Sequence, residues 1–315
     1  MNCVHASKIS ATGSITVRKL PPEVSLPEKN YRVGLLIGQL YHELTSPFLA
    51  LFIRGLCDIL QQSGYTLSML WCAQNEVDNQ ANSVRDFLLS DTADAYIANT
   101  ELLNAQSVAM FKHTGRPIVA LSNHPFSEID NFHQINIDFS GAFAGIWEQL
   151  SPEIRSNVVF LGLGNVNKSH LIKKYAPADA KITYVDSGAI RADFINDRIS
   201  GAKTAEKHWD VVSKAKLVWC SSDLAALGVC DTLKAHGLEP GKDIFVIGHD
   251  NLEATHDRYD SEPILSTVDP HWEKIGHIAA KFILEAVDSP PESPQFINCP
   301  ATFINRKTLP YRQKQ

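Results

Sequence analysis

From Arg32 onward the sequence alternates between short apolar runs and helix-length amphipathic segments. The first run, Val33–Ile37, is almost wholly apolar, which is typical of a strand in a parallel sheet covered on both faces. The other runs that we interpret as strands are Thr66–Trp71, Ala95–Ala98, Ile118–Leu121, Gln134–Ile137, Val158–Leu161, Ile182–Val185, Leu217–Trp219, Ile244–Ile247, Ile264–Val268 and Phe296–Ile304. Strands that alternate with helices predict an α/β protein with doubly wound parallel sheets.

The helix after the first strand has clear boundaries. Ser46 can cap it, Pro47 suits the first helical position, and Gly64 can end it. Between them, one apolar stripe is predicted to face the core, formed by Leu49, Phe52, Ile53, Leu56, Ile59 and Leu60. Further helices are predicted over Gln80–Leu89, Leu102–His113, Gly141–Leu150, Asp223–His236 and Trp272–Val287. The strands fall into two successive sets, so we expect two lobes of the same architecture.

Charge and cysteine usage exclude several classes of protein. The 315 residues carry 29 basic and 35 acidic side chains, a net charge of −6, and no basic arm. Such a chain is a poor binder of polyanions by itself. The six cysteines are scattered, without the close pairs of a zinc knuckle or a redox motif. The sequence shows neither a secretory signal nor a run of about 20 apolar residues, so we expect a cytoplasmic address.

Motifs for catalysis are weak. Gly162 and Gly164 follow a strand as in a phosphate-binding turn, but Asn167 stands where the dinucleotide fingerprint has its third glycine. An enzyme with a nucleotide cofactor therefore remains an alternative that rests on these two glycines alone. The twelve histidines include no pair at zincin spacing, and no Gly-x-Ser-x-Gly elbow occurs. We expect no catalytic site, no metal and no cofactor.

Three stretches at the predicted carboxyl ends of strands resemble one family. Leu44–Leu49 resembles the Asn-Pro-Phe-Phe turn of periplasmic sugar-binding proteins and of lactose/galactose (LacI/GalR) repressors. Val218–Gly228 with His236–Asn251 is similar to the most recognisable segment of those repressors, which ends in Gly-aromatic-Asp-Asp. Pro263–Pro270 resembles a crossover strand between lobes, and Gln134–Asp138 resembles the first crossover. The resemblance covers about residues 32–306 and implies the type I periplasmic-binding-protein fold.

In that family a small polar ligand lies between the lobes. Carried over by position, the resemblance implies a set of ligand-binding residues: Ser46, Phe48, Ser122, Asn123, Asp138, Ser222 and Asp250. Phe48 would pack on the apolar face of the ligand, and Asp250 is the foremost polar contact. Each has a structural alternative, because Ser46 can cap a helix and Asp250 can cap a turn. Lys168 and His170 stand where the family often has an arginine, and Pro270 stands near a frequent glutamine, which argues against a common hexose or purine.

The resemblance also implies a division into lobes. We expect the first lobe to comprise residues 32–138 and 270–289, and the second to comprise residues 139–269 and 290–315. Residues 1–31 are interpreted as a linker or the remnant of a DNA-binding module, since no helix-turn-helix pattern precedes the first strand. Ser10–Val17 resembles the wing hairpin of winged-helix (GntR-type) regulators, with a structureless leader as the alternative.

The resemblance implies the sensor part of a bacterial transcriptional regulator, in which a sugar or a related metabolite changes the closure of the lobes. DNA would be reached only through a helix-turn-helix or winged-helix module that is incomplete in this chain. A homodimer is expected, because a two-fold protein matches palindromic operators. The alternative is the solute-binding protein of a sugar transporter, which has the same fold but requires export.

Overall fold

The computed structural model describes residues 29–37, 47–71, 85, 88, 93–99, 105–122, 133–162, 166–185, 197–255 and 262–310. Predictions for residues 1–28, for Ser46 and for Asn123 lie outside these ranges, as does most of the helix predicted over Gln80–Leu89. Within the described ranges, no helix has both the length and the apolar character needed to cross a membrane.

The described strands and helices alternate as the sequence predicts. The strands are β1 Arg32–Ile37, β2 Thr66–Trp71, β3 Ala95–Asn99, β4 Ile118–Ser122, β5 His133–Asp138, β6 Val158–Leu161, β7 Ile182–Val185, β8 Leu217–Cys220, β9 Phe245–His249, β10 Ser266–Asp269, β11 Phe296–Pro300 and β12 Thr302–Ile304. The helices are α1 Pro47–Gln62, α2 Ala105–His113, α3 Ser140–Gln149, α4 Pro152–Arg155, α5 Val166–Tyr175, α6 Asp197–Lys207, α7 Trp209–Val212, α8 Asp223–Ala235, α9 Leu252–Thr255 and α10 Trp272–Asp288.

These strands form two sheets of six with equivalent winding. The first sheet has the order β11-β5-β4-β3-β1-β2, and the second has the order β12-β10-β9-β8-β6-β7. All pairings are parallel except that between β10 and β12. In each sheet the first strand in sequence, β1 or β6, lies next to an edge, and the second, β2 or β7, forms that edge. The third strand, β3 or β8, pairs with the other side of the first, and the later strands continue in that direction. The predicted fold class, two doubly wound α/β lobes joined by crossover strands, is confirmed.

Within the described residues, the chain crosses between the lobes at three places. β5 lies in the first sheet, but α3 after it packs in the second lobe, where Phe143 meets Trp219 at a centroid distance of 5.2 Å. β10 lies in the second sheet, but α10 after it packs against α1 of the first lobe. The third crossing lies between β11 and β12, which Ala301 alone separates.

The third crossing corrects the predicted lobe boundary. The sequence predicts one strand over Phe296–Ile304, and the family resemblance places residues 290–315 in the second lobe. Instead, β11 pairs in parallel with β5 of the first sheet, and β12 pairs antiparallel with β10 of the second. At the junction, the Ala301 amide donates to the Asp138 carbonyl at 2.8 Å, which ties two crossings together. An unbroken extended run does not indicate in its sequence which sheet each half will join.

The predicted first helix is confirmed from Pro47 onward, whereas its predicted Ser46 cap lies outside the described residues. α1 begins at Pro47, buries Leu49, Phe52, Leu56 and Leu60, and is followed by Gly64 in the left-handed region at φ +74°. Its partner is α10, and the two helices approach closely enough for backbone contact. A Cβ atom added at Gly276 would lie 2.3 Å from the Phe52 carbonyl oxygen. Glycine is required at this crossing because any side chain there would collide with the neighbouring backbone.

Candidate functional site

Polar side chains converge at the carboxyl ends of β8, β9 and β10 in the second sheet. Ser222 follows β8, Asp250 follows β9, and Asp269 is the last residue of β10. These strands are neighbours in the sheet, so their carboxyl ends share one edge. Ligands of open α/β sheets bind in the crevice at this edge. The next residues after β10 lead back to the first lobe, which brings groups of both lobes to the same place.

One indole connects two of the predicted ligand-binding residues. The Trp272 Nε1–H group donates to Asp250 Oδ1 at 3.3 Å. The Trp272 ring lies 5.0 Å from the Phe48 ring between centroids, at an interplanar angle of 33°. Phe48 belongs to α1 of the first lobe, whereas Asp250 follows β9 of the second. We call Phe48, Trp272 and Asp250 the interlobe group, because it spans the crevice between the lobes.

The backbone of Asp250 is held in an unusual conformation. Asp250 has φ +101° and Asn251 has φ +53°, values that residues with a Cβ atom seldom adopt. The turn is fixed by the Asp250 amide, which donates to the Val268 carbonyl at 2.8 Å. The Asn251 side chain donates to Asp269 Oδ2 at 2.8 Å and accepts from Arg306 Nη2 at 2.6 Å. Strained backbone conformations persist only where several contacts hold them, and they occur most often at functional sites.

The turn contains the buried carboxyl group of Asp250 and lies beside those of Asp223 and Asp269; the three residues are 5%, 0% and 7% exposed. Burial, followed by the charge of Asp250, raises the pKa of Asp223 well above its usual value. Asp223 is nevertheless well supplied with donors, since the Thr267 hydroxyl donates to it at 2.6 Å and the Leu252 amide at 2.7 Å. It therefore holds β10 and α9 in place.

The carboxyl group of Asp250 has a different environment. Burial raises its pKa, and the charge of Asp269 acts in the same direction, whereas the Lys168 ammonium and the Trp272 hydrogen bond oppose the rise. Lys168 itself donates from Nζ to the Ser221 carbonyl at 2.7 Å and lies 6.0 Å from the Phe139 ring centroid. The Lys168 ammonium group therefore lies at the carboxyl edge of the second sheet. A dry carboxylate with hydrogen-bonding capacity at this position suits a ligand that donates hydrogen bonds, such as a polyol.

His249 is enclosed beside Asp250 by aromatic rings. The ring centroids of Phe143, Phe139 and Trp219 lie 5.5, 6.2 and 6.3 Å from that of His249. His249 Nδ1 lies 2.8 Å from the Cys220 carbonyl oxygen, which can only accept, so Nδ1 carries the proton. Burial, with the charge of Lys168, lowers the pKa of His249 well below its usual 6.5. His249 is consequently a neutral part of the wall behind the crevice.

Two predicted ligand-binding residues have structural roles. Asp138, at the end of β5, accepts from the Ser140 amide at 2.9 Å and from Asn298 Nδ2 at 2.9 Å. Burial alone would raise the pKa of Asp138, but these donated hydrogen bonds outweigh it and the pKa is lowered. Ser222 caps α8, since its Oγ accepts from the Ala225 amide at 3.2 Å. Both side chains thereby stabilise chain reversals at the crevice edge, and a ligand contact for them stays a prediction.

The remaining predicted residues belong to the first lobe. Ser122 ends β4 and is 2% exposed. Ser46 and Asn123 lie outside the described residues, so their roles also remain predictions. Trp272, which joins Phe48 to Asp250, is absent from the predicted ligand-binding residues. The sequence nevertheless holds a signal, because Trp272 lies two residues after the crossover Pro263–Pro270 and begins a helix at the carboxyl end of a strand.

Comparison with known proteins agrees with this architecture. A family model described as a periplasmic binding protein-like domain matches residues 175–309. The HTH-type transcriptional repressor PurR of Aliivibrio salmonicida (strain LFI1238) is 24% identical over 277 residues, covering 87% of this chain and 81% of the relative. The PurR repressor of Erwinia tasmaniensis (strain DSM 17950) is 25% identical over 287 residues, covering 88% of this chain and 81% of the relative.

Solved structures extend the likeness in fold. A LacI family transcriptional regulator from Enterococcus faecalis V583, with bound ribose, superposes with a TM-score of 0.72 at 18% identity, covering 90% of this chain and all of that one (100%). The regulator CCPA from Weissella paramesenteroides, with bound sucrose, gives a TM-score of 0.70 at 17% identity, covering 90% of this chain and 100% of its own. These matches show that the chain is similar over most of its length to PurR repressors and shares the fold of LacI family transcriptional regulators.

Proposed function

We propose that this protein senses a small polar molecule, such as a sugar, between its two lobes and thereby alters DNA binding by a transcriptional regulator. The observation that carries the proposal is the interlobe group, in which Phe48 and Asp250 meet the same Trp272 from opposite lobes. The repressor relatives, and the regulators solved with ribose and sucrose, support it. The alternative of a transporter's solute-binding protein has less support, because the relatives named above are repressors.

Each member of the interlobe group has a role in this proposal. Asp250 accepts hydrogen bonds from hydroxyl groups of the ligand, and Phe48 and Trp272 pack against the apolar face of its ring. Lys168 offsets the charge of Asp250 and limits the cost of burying it. Ser46, Ser122, Asn123, Asp138 and Ser222 are retained as further proposed contacts.

The proposed mechanism requires no bond to be made or broken. A ligand shifts the balance between two lobe arrangements only by binding one of them more tightly than the other. A molecule that touches Phe48 and Asp250 together has this property, because opening the crevice would break one set of contacts. The three crossings tie the lobes at one edge of both sheets, so we expect closure to bend the chain there.

The output of such a sensor is a change in a DNA-binding module, attached to it or recruited by it. We accordingly propose that it acts in the cytoplasm, and as a homodimer that matches the two-fold symmetry of operator sites.

The test is a thermal-shift screen of the purified chain with ribose, glucose, sucrose, polyols, sugar phosphates, nucleosides and purines. A ligand at about 100 times its dissociation constant stabilises a protein by roughly 2.7 kcal/mol, which moves the unfolding midpoint measurably. Hits are then titrated by calorimetry against Asp250→Asn. Asparagine tolerates positive φ and keeps an acceptor oxygen, so the turn should survive.

Loss of the charge should weaken a hydroxyl-bearing ligand by about 1–2 kcal/mol, roughly 5- to 30-fold. The matched control is Asp179→Asn, which makes the same chemical change at an exposed ion pair with Arg155. Equal affinity in both variants would contradict the role given to Asp250. A screen without a single hit would contradict the proposed sensing of small polar molecules.

A further inference from the structure

A cluster of three potential metal ligands lies on the surface of the first lobe, where α1 and α10 cross. Asp58 comes from α1, and Glu273 and His277 come from α10. One ligand atom from each of the three lies within 4.8 Å of the other two. The group is distinct from the interlobe group, although Glu273 directly follows Trp272 in the sequence.

The spacing of the three side chains suits a metal ion. Glu273 and His277 are four residues apart on a helix, so they lie on the same face one turn from each other. His277 Nε2 is 3.2 Å from Asp58 Oδ2. With zinc–ligand bonds of about 2.0–2.1 Å, two ligands of a tetrahedron are separated by about 3.3 Å. The His277–Asp58 pair is thus already at the spacing of two zinc ligands, and the Glu273 carboxylate lies within 4.8 Å of both.

The helix crossing beneath the cluster is rigid. A Cβ atom at Gly55 would lie 2.1 Å from the Glu273 carbonyl oxygen, and one at Gly276 would lie 2.3 Å from the Phe52 carbonyl oxygen. Backbones in such contact fix the positions from which the three ligands project. Fixed ligand positions favour metal affinity, because little chain entropy is lost when the ion binds.

A cation is already present at the cluster. Arg54, one turn before Asp58 on α1, forms an ion pair with Glu273. The side chains of Arg54 and Glu273 are 49% and 37% exposed, so the guanidinium group can leave into solvent. This pairing makes Arg54 a competitor for the same carboxylate.

We propose that Asp58, Glu273 and His277 form a binding site for a divalent transition-metal ion of the Zn²⁺ class. Imidazole with two carboxylates is a donor set for zinc and its neighbours, whereas Mg²⁺ and Ca²⁺ prefer oxygen ligands alone. The ion displaces Arg54 from Glu273 and binds Nε2 of neutral His277, whose proton is then carried by Nδ1. Since Glu273 adjoins Trp272, the occupied site anchors the first turn of the helix that carries the indole into the crevice.

The test is calorimetric titration of the purified chain with ZnCl₂, in parallel with MgCl₂. We expect one equivalent of zinc to bind and no response to magnesium. His277→Ala and Asp58→Asn should each weaken zinc binding at least about tenfold. Arg54→Gln should strengthen it, because the competing cation is removed. That gain distinguishes ligation by Glu273 from general damage to the helix, which would only weaken binding.

The matched control is His236→Ala. His236 is also a surface histidine paired with a carboxylate, Glu206, at 2.9 Å, but it lies on the second lobe. Zinc affinity should be unchanged in this variant. Absence of zinc binding in the wild-type chain, or binding that His277→Ala leaves intact, would overturn the proposal. Circular dichroism and the unfolding midpoint of each variant establish that it is folded before titration.

Discussion

The contact between α1 and α10 predicts that alanine in place of Gly276 destabilises the protein, whereas alanine at a glycine without close neighbours stabilises it. In Gly276→Ala the new Cβ would lie 2.3 Å from the Phe52 carbonyl oxygen and 2.9 Å from the Leu56 amide nitrogen, both backbone atoms. The helices must separate, and overpacking of this kind costs about 1–3 kcal/mol. Alanine returns about 0.5–1 kcal/mol of helix propensity. The net expectation is a loss of about 1–2 kcal/mol in the free energy of unfolding.

The assay is thermal and urea unfolding of Gly276→Ala beside Gly145→Ala. Gly145 lies inside α3, and an added Cβ there meets nothing within 4 Å. The same substitution should therefore stabilise the chain at Gly145 by about 0.5–1 kcal/mol and destabilise it at Gly276. Separation of the helices also draws Trp272 away from Phe48, so effector affinity should fall in Gly276→Ala alone. Equal stability in the two variants would refute the reasoning about backbone contact.

Three further predictions concern residues around the crevice. Ser222→Ala should cost about 0.5–2 kcal/mol in thermal unfolding through loss of the α8 cap, and effector titration of the folded variant will show whether Ser222 also touches the ligand. The pKa of Asp138 is lower in the folded chain than its unfolded value of 3.8, so the ionised carboxylate stabilises the fold at pH values above 3.8. The urea midpoint of the wild type should therefore approach that of Asp138→Asn as the pH falls through the acid range. A difference between the two midpoints that stays constant with pH would contradict this. Because the pKa of His249 is lowered in the folded chain, this residue takes up a proton below about pH 6.5 in the unfolded chain but not in the folded one. The free energy of unfolding should therefore fall below about pH 6.5, and less steeply in His249→Phe than in the wild type. The measurement is the urea midpoint of both proteins as a function of pH.

Much of the fold could be predicted from the pattern of apolar residues and from the prolines and glycines that begin and end helices. Apolar runs located nearly all the described strands, because a strand buried on both faces has to be apolar throughout. Pro47 and Gly64 bounded α1 as expected, since they act through local backbone geometry. The position of Asp250 at the carboxyl end of β9 also followed from the sequence, because the end of an apolar run marks the end of a strand.

The candidate site could be predicted only in part. Phe48 and Asp250 were identified through the family resemblance, but their common partner Trp272 was not, although its place after the crossover was visible. Asp138 and Ser222 are predicted ligand contacts, and in the structure Asp138 accepts from the Ser140 amide at the start of α3 while Ser222 caps α8. A cap and a ligand contact use the same side-chain oxygen, so residue type alone does not separate them.

Three features follow from the amino-acid sequence alone: the alternation of strands and helices, the two-lobed plan, and the sheet edge at which a ligand site is expected. These features depend on local backbone preferences and on the spacing of apolar residues. Both can be read from residues that are close to one another in the sequence. The packed structure was needed to show that β11 and β12 join different sheets, that Trp272 contacts both Phe48 and Asp250, and that Asp58 meets His277. Each of those contacts joins residues far apart in sequence, and their distances depend on how whole helices and sheets pack.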